Sequence, residues 1–312
     1  MGFTYLQLAN RVRQNCGVSG SDYATLQGIT GEGLRIANWV NEAWFDLQSM
    51  RQDWQWMRKT ATFPLVTGQP FYLPSAIGLT DFGMWARDTF RNYANPQVTL
   101  TIGSPGVVTL QSHGLSIGDT ITPFTSGALP SGLTAGIAVY VQSIIDANNF
   151  TVSATSGGAA IAFTGTQSGT QTITSNNTVT FAGFQSEVFM DYTEYDDWRD
   201  AYEFGALRLT QTRPLEMTIN PAKAVGVGPF PIAGYTVLGD YYSVPTYLVN
   251  DTDMPSLPDK FQLAIVYSAM IAYGQYEAAN DVLGRAQPEF DKWMRRIAAD
   301  QIIEIGSGGP LC

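Results

Sequence analysis

Residues 260–273, KFQLAIVYSAMIAY, carry no charge after Lys260 and few polar side chains. Ser256 at a cap position, Pro258 in the first turn and Asp259 three residues after the serine predict a helix opening there. A helix at a protein surface keeps one polar face. One that is apolar nearly all round must be wrapped on every side, by its own chain or by neighbouring subunits. The rest of the fold has to supply that wrapping.

A second helical stretch is 31–59, GEGLRIANWVNEAWFDLQSMRQDWQWMRK. Ile36, Val40, Ala43, Trp44, Leu47, Met50, Trp54 and Met57 recur at three- and four-residue steps. That spacing predicts one helix of about seven turns with a single apolar stripe. Trp39 and Trp56 fall off the stripe, so a second contact surface is needed, within the subunit or on another one. Upstream, Thr4 and Gln7 form a capping-box pattern for a short helix carrying Tyr5, Leu8, Ala9, Val12 and Cys16 on one face, and Gly17 is placed to end it. Residues 274–286 and 289–303 continue helically, with Gly284 and Pro288 marking a kink or break. The tail 306–312, GSGGPLC, has no folding signal.

Elsewhere the period changes to two. Residues 60–73 alternate around Thr67-Gly68-Gln69 and read as a β-hairpin, which Pro64 and Pro70 confine to an edge. Residues 84–93 fit a strand or a short helix. Between 96 and 177 charge almost vanishes, while Thr, Ser and Gly crowd around short β-branched runs at 98–102, 107–110, 120–123, 138–144, 150–153 and 171–174. That pattern predicts a small all-β barrel or sandwich, with Asp146 to Asn149 as a hairpin turn. Residues 217–221 and 235–242 add strands, joined by a Gly/Pro-rich connection. The expected class is therefore α+β. A helical body with β elements spans 1–95 and 178–312, an inserted all-β domain spans 96–177, and a flexible tail covers 306–312.

Charged residues make up only 14% of the chain, against about a quarter in ordinary domains. Net charge is −10, which argues against sequence-independent nucleic-acid binding but suits a conduit along which DNA slides without sticking. Two cysteines, Cys16 and Cys312, make no disulfide framework. A polar start and the lack of an eighteen-residue apolar run predict no signal peptide and no membrane anchor.

The catalytic candidates are few. His113 is the single histidine and lies in a Ser-His-Gly turn, so neither a triad nor a two-His metal site can be built on it. Asp191, Glu194, Asp196 and Asp197 could bind calcium or act as an acid/base pair. Tyr and Trp interleave with them, however, and no calcium-loop spacing is present, which favours a solvated or arginine-paired face. Asn250 to Asp253 reads as a polar turn. Arg208 and Arg213 are candidates for interfacial ion pairs. No catalytic residue, cofactor or metal is expected.

Five ordered blocks carry a resemblance: Leu34-Arg-Ile-Ala-Asn-Trp-Val-Asn-Glu-Ala-Trp44, Asp53-Trp-Gln-Trp-Met-Arg58, Gly68-Gln-Pro-Phe-Tyr-Leu-Pro74, Gly239-Asp-Tyr-Tyr-Ser-Val-Pro245 and Asn250-Asp-Thr-Asp-Met-Pro-Ser-Leu-Pro258. Together they resemble the head-to-tail adaptor (connector) proteins of short-tailed bacteriophages. Within 96–177, His113-Gly-Leu115, Gly118-Asp119, Ala128-Leu-Pro130, Gly132-Leu133 and Tyr140-Val141 resemble a small β module of phage and bacterial surface proteins. That module is sometimes labelled after a domain of ubiquitin-activating enzymes, but nothing catalytic accompanies it here.

The adaptor resemblance implies a virion structural protein of the neck, assembled in the host cytoplasm. It implies a homo-oligomeric ring, usually twelve-fold, beneath the portal protein, with nozzle or tail-fibre proteins below and genome DNA passing through the axis. Trp39, Trp56, Arg208, Arg213, Gly306, Pro310 and Leu311 are the candidate partner contacts. A competing expectation is an adhesin or carbohydrate-binding protein acting through the β segment. A third is a hydrolase using Asp191 and Glu194.

Overall fold

The computed structural model describes residues 2–175, 187–232 and 234–301. In chain order come helices α1 (Tyr5–Cys16) and α2 (Glu32–Ser49), a 3-10 turn (Gln55–Met57), and strands β1 (Arg58–Pro64), β2 (Phe71–Tyr72) and β3 (Phe82–Ala94). Six strands follow: β4 (Gln97–Thr101), β5 (Val107–Thr109), β6 (Thr120–Thr125), β7 (Val139–Ile144), β8 (Asn149–Ser153) and β9 (Gln171–Ser175). Then come β10 (Val188–Phe189), β11 (Asp191–Tyr192), helix α3 (Tyr195–Tyr202), a 3-10 turn (Ala206–Leu209), β12 (Gln211–Thr212), β13 (Glu216–Ile219), β14 (Val225–Gly228), β15 (Phe230–Pro231) and β16 (Tyr235–Ser243). A 3-10 turn (Asp259–Phe261) and helices α4 (Leu263–Tyr276) and α5 (Asn280–Gln301) complete the described elements. The class is α+β, as expected.

The chain forms two compact units. One comprises Met1–Lys59, Asp81–Met84 and Tyr242–Cys312; the other comprises Thr60–Thr80 and Trp85–Tyr241. In the first unit α4 is the helix without a polar side. It packs against α1, α2 and α5, burying Ala264, Ile265, Val266, Ala269 and Met270. Much of the required wrapping thus comes from the chain's own helices, while Leu263, Tyr267, Ile271 and Tyr273 stay partly exposed and Tyr276 exposed.

α1 follows its sequence signals closely. Thr4 accepts from the Gln7 amide, Gln7 returns the bond to the Thr4 amide, and Gly17 closes the helix at φ 73°. α2 departs from expectation, because it stops at Ser49 rather than running to 59. Arg51 and Asp53 form a bidentate pair at 2.8 Å, two residues apart, a spacing whose side chains diverge on a helix. The Trp54 indole N–H turns back to donate to the Leu47 carbonyl at 2.9 Å, satisfying one of the acceptors a helix end leaves open. Trp54 and Met57 are buried as the periodicity implied, but through this reversal, while Met50 is exposed.

Two further expectations are corrected at the C-terminal helices. Ser256 makes no cap; a 3-10 turn intervenes and α4 starts at Leu263, with Gln262 as its cap residue. The break between the last two helices falls at Ala278, at φ 51°, and not at Gly284 or Pro288. α5 runs through Pro288 because both residues lie on its exposed face, where water can take the Gly284 carbonyl that proline leaves without a donor.

In the second unit the expected hairpin at 60–73 does not form. β1 is the edge of a sheet ordered β1-β16-β3-β10, and β2 is the edge of another, β11-β13-β14-β2. The Tyr72 hydroxyl accepts from the Val66 amide at 2.8 Å and donates to the Gln69 carbonyl at 3.1 Å, filling the turn where a hairpin ladder would run. Both strands sit at edges, as Pro64 and Pro70 demanded. Residues 84–93 lie within strand β3.

The six strands between 97 and 175 form a closed antiparallel barrel, β4-β5-β8-β7-β6-β9, with β9 returning to β4. Alternate residues point inward, and Leu100, Val108, Val141, Phe150, Val152, Phe163 and Ile173 fill the interior. The fill leaves no tolerance at Gly106, where a Cβ would lie 2.1 Å from a Phe163 ring carbon. Gly106→Ala is therefore expected to destabilise the barrel by about 2 kcal/mol, read as faster amide exchange in β5 and β8. Unchanged protection would show that Phe163 has room to move.

Candidate functional site

The acidic stretch was the strongest catalytic candidate. Glu194 is the cap residue of α3, and Asp196 and Asp197 lie in its first turn, where the helix dipole favours negative charge. Arg87 approaches Glu194 at 3.7 Å and lies over the Tyr192 ring; Arg199 approaches Asp196 at 3.4 Å and Asp200 at 3.8 Å. These side chains are mostly solvent-exposed, so the stretch is the arginine-paired face expected. Among the described residues no group of three or more His, Cys, Asp or Glu could hold a metal ion.

His113 is a buried structural residue of the barrel. Its Nδ1 accepts from the Leu115 amide at 3.0 Å, so the proton sits on Nε2 and points to the Asp146 carbonyl at 3.1 Å. The ring stands edge-on to Phe150. Asp146 forms the expected turn: the Asn149 side chain and the Asn148 amide hold its carboxyl below the ordinary range. The half-buried Cys16 thiol is pushed up to about 12 by burial, which keeps it protonated and unreactive.

The Asn250–Asp253 segment does more than turn. Its Asp251 and Asp253 carbonyls accept the Leu6 and Tyr5 amides, two donors that the start of α1 leaves open. The Asp251 carboxylate takes the Leu26 amide at 2.9 Å. Asp253 in turn accepts the Val249 and Asn250 amides at 2.7 and 2.8 Å. The turn staples the two ends of the first unit together.

Of the candidate partner contacts, Trp39 is half-buried, edge-on to Tyr273 at 5.9 Å and tilted against Tyr276 at 5.5 Å. Trp56 stacks on Trp54 at 4.4 Å. The second surface that both required thus lies within the subunit. Arg213 clamps β3: Nε donates to Asn92 Oδ1 and Nη2 to the Asn92 carbonyl, both at 2.7 Å, while Asn92 donates to the Pro214 carbonyl. Arg208 lies exposed in the turn after α3. Gly306, Pro310 and Leu311 fall outside the described residues.

Two surfaces stand out. The turn after α3 buries none of its residues and exposes Phe204 (70%), Leu207 and Leu209 (84%). In the other unit, Lys260, Phe261, Trp293, Arg296, Ala299 and Asp300 line a groove between the turn that precedes α4 and the last turns of α5. Arg296 lies over the Trp293 ring at 4.9 Å, and Lys260 pairs with Asp300. The sequence reading missed this groove, although Lys292, Arg295 and Arg296 around Trp293 gave a local signal.

The family profile described as SU10 adaptor protein matches residues 146–305, just over half of the chain. The chain belongs to the SU10 adaptor protein family. It is accordingly a phage adaptor-type structural protein. No curated protein matches the sequence. The matched span opens in the β7–β8 turn of the adaptor and includes the exposed turn, the staple and the groove. The blocks at 239–245 and 250–258 fall inside it, and those between 34 and 74 fall outside.

The staple predicts a pH response. The Asn250 and Val249 amides hold the Asp253 carboxyl below its ordinary value of 3.8. A depressed folded value means that the stabilisation is present above that pH and is lost as pH falls through the depressed value. Asp253→Asn is expected to be less stable than wild type at neutral pH and to lose less on going to about pH 3, because its amide cannot gain a proton there. Urea midpoints from tryptophan fluorescence test this; parallel losses in both proteins would assign the acid response elsewhere.

Proposed function

We propose that the adaptor assembles as a ring joining the portal to the tail of a short-tailed phage, with genome DNA passing through its axis. The observation carrying this reading is the family match, which runs from the barrel through both C-terminal helices. Exposed apolar residues in the matched span supply surface for subunit contacts. The net charge of −10 suits a lining that DNA passes without being held. The portal lies on one side of the ring, and nozzle or fibre proteins attach on the other.

Residues 96–177 are read as a module inserted in this body. The chain leaves the sheet at the end of β3 and returns in β10, whose Val188 pairs with Asn92 of β3. At the barrel itself Gln97 pairs with Thr172, so entry and exit lie on adjacent rungs. The barrel interior is filled by its own side chains, so any fibre or glycan contact made by the module belongs to its outer wall.

Purified full-length adaptor mixed with portal assemblies of the same phage is expected to bind them with one fixed copy number per portal, measured by native mass spectrometry. Absence of the protein from purified particles, together with no portal binding, would exclude the reading. Replacing 96–177 by a short Gly/Ser linker is expected to leave portal binding intact. Loss of portal binding by a folded deletion variant would make the module part of the joint.

A further inference from the structure

The groove at the end of α5 and the turn after α3 are complementary in two independent respects. The first is charge. Arg296 lines the groove with its guanidinium over Trp293, and neither it nor the adjacent exposed Arg295, outside the lining, has a carboxylate at ion-pair distance among the described residues. The segment 195–209 carries Asp196, Asp197, Asp200 and Glu203 against Arg199 and Arg208. Arg199 already lies near Asp196 and Asp200, which leaves Asp197 and Glu203 without an ion-pair partner among the described residues.

The second respect is apolar shape. The groove offers part of the half-buried Trp293 ring, while Phe261 is buried beneath Lys260; the segment ends in Phe204, Leu207 and Leu209, all exposed, with Arg199 beside the Phe204 ring. An exposed aromatic anchor beside carboxylates is what a groove of one accessible aromatic ring and cations accepts. The rings supply affinity by desolvation, and the charges supply orientation and encounter rate.

We propose that the groove of one copy receives the α3 turn of a second copy of this chain. This rests on the ring reading and names the contact that would build it. Groove and turn are different surfaces, so the contact is head-to-tail; a growing assembly keeps one free groove at one end and one free turn at the other until a closed ring uses both. A contact of like with like would stop at a dimer. Both surfaces lie inside the span that matches the family.

The test is a charge exchange in the full-length protein, assembled on portal and followed by light scattering. Arg296→Glu is expected to lower the assembled fraction at least ten-fold. Adding Asp197→Lys and Glu203→Lys to the same chain is expected to restore assembly. A groove reversal without effect, or a loss that the second reversal does not repair, overturns the proposal. Because multiple reversals can impair folding, a second measurement uses otherwise wild-type surfaces. In a background of Cys16→Ser and Cys312→Ser, a copy carrying Leu209→Cys is mixed with one carrying Ala299→Cys and treated with a short bismaleimide. A heterodimeric cross-link that needs both copies supports the contact, and its absence from assembled material overturns it. Wild-type protein that never assembles on portal overturns the ring reading itself. Wild-type rings with neither rescue nor cross-link overturn only this contact.

Discussion

Helix α4 has no polar side, and the first unit is organised around covering it. Its cover comes from α1 and α2, early in the chain, and from α5, late in it. Helices separated by more than two hundred residues must therefore meet, at a considerable loop-closure cost. The Asn250–Asp253 turn contributes to holding that closure. Its carbonyls take the amides at the start of α1, and its Asp251 carboxylate takes the Leu26 amide. Backbone donors that would otherwise be unpaired at a helix end become the contact that registers the 250–253 segment on the start of α1.

Most of the intervening residues form their own unit of sheets and barrel. Its pairings are mostly long-range, as β16 sits between β1 and β3 and β14 pairs with β2. Polar side chains specify some of this order. Buried Asn92 has its side-chain oxygen and its carbonyl occupied by Arg213 and its amide nitrogen by Pro214, so β3 is held to the 213–214 segment by a satisfied network. An arginine that looked available for a neighbouring subunit is committed inside its own.

Local signals were legible in the sequence, and distant pairings were not. The capping box at Thr4, the Gly17 stop and all six barrel strands follow from residue types a few positions apart. The overrun of α2 has an instructive cause. Trp54 and Met57 kept the helical period and are buried, yet Trp54 reaches its place by folding back onto Leu47. Periodicity reports which residues are buried, not the path that buries them. The false hairpin at 60–73 is the converse case, since each strand was recognisable but its partner lay far along the chain. For the functional surfaces, Trp39 and Trp56 were read as requiring a second contact, which neighbouring aromatics of the same unit provide. The groove needed the turn at 259–261 beside residues more than thirty positions later, a proximity no window along the sequence reveals.

The rungs where the barrel leaves and rejoins its sheet have a consequence for the lineage of the protein. A segment whose two ends lie side by side can be traded, enlarged or discarded in one recombination event without rethreading a helix. Recombination at those rungs can thus change the barrel segment while leaving the helices of the first unit as they are.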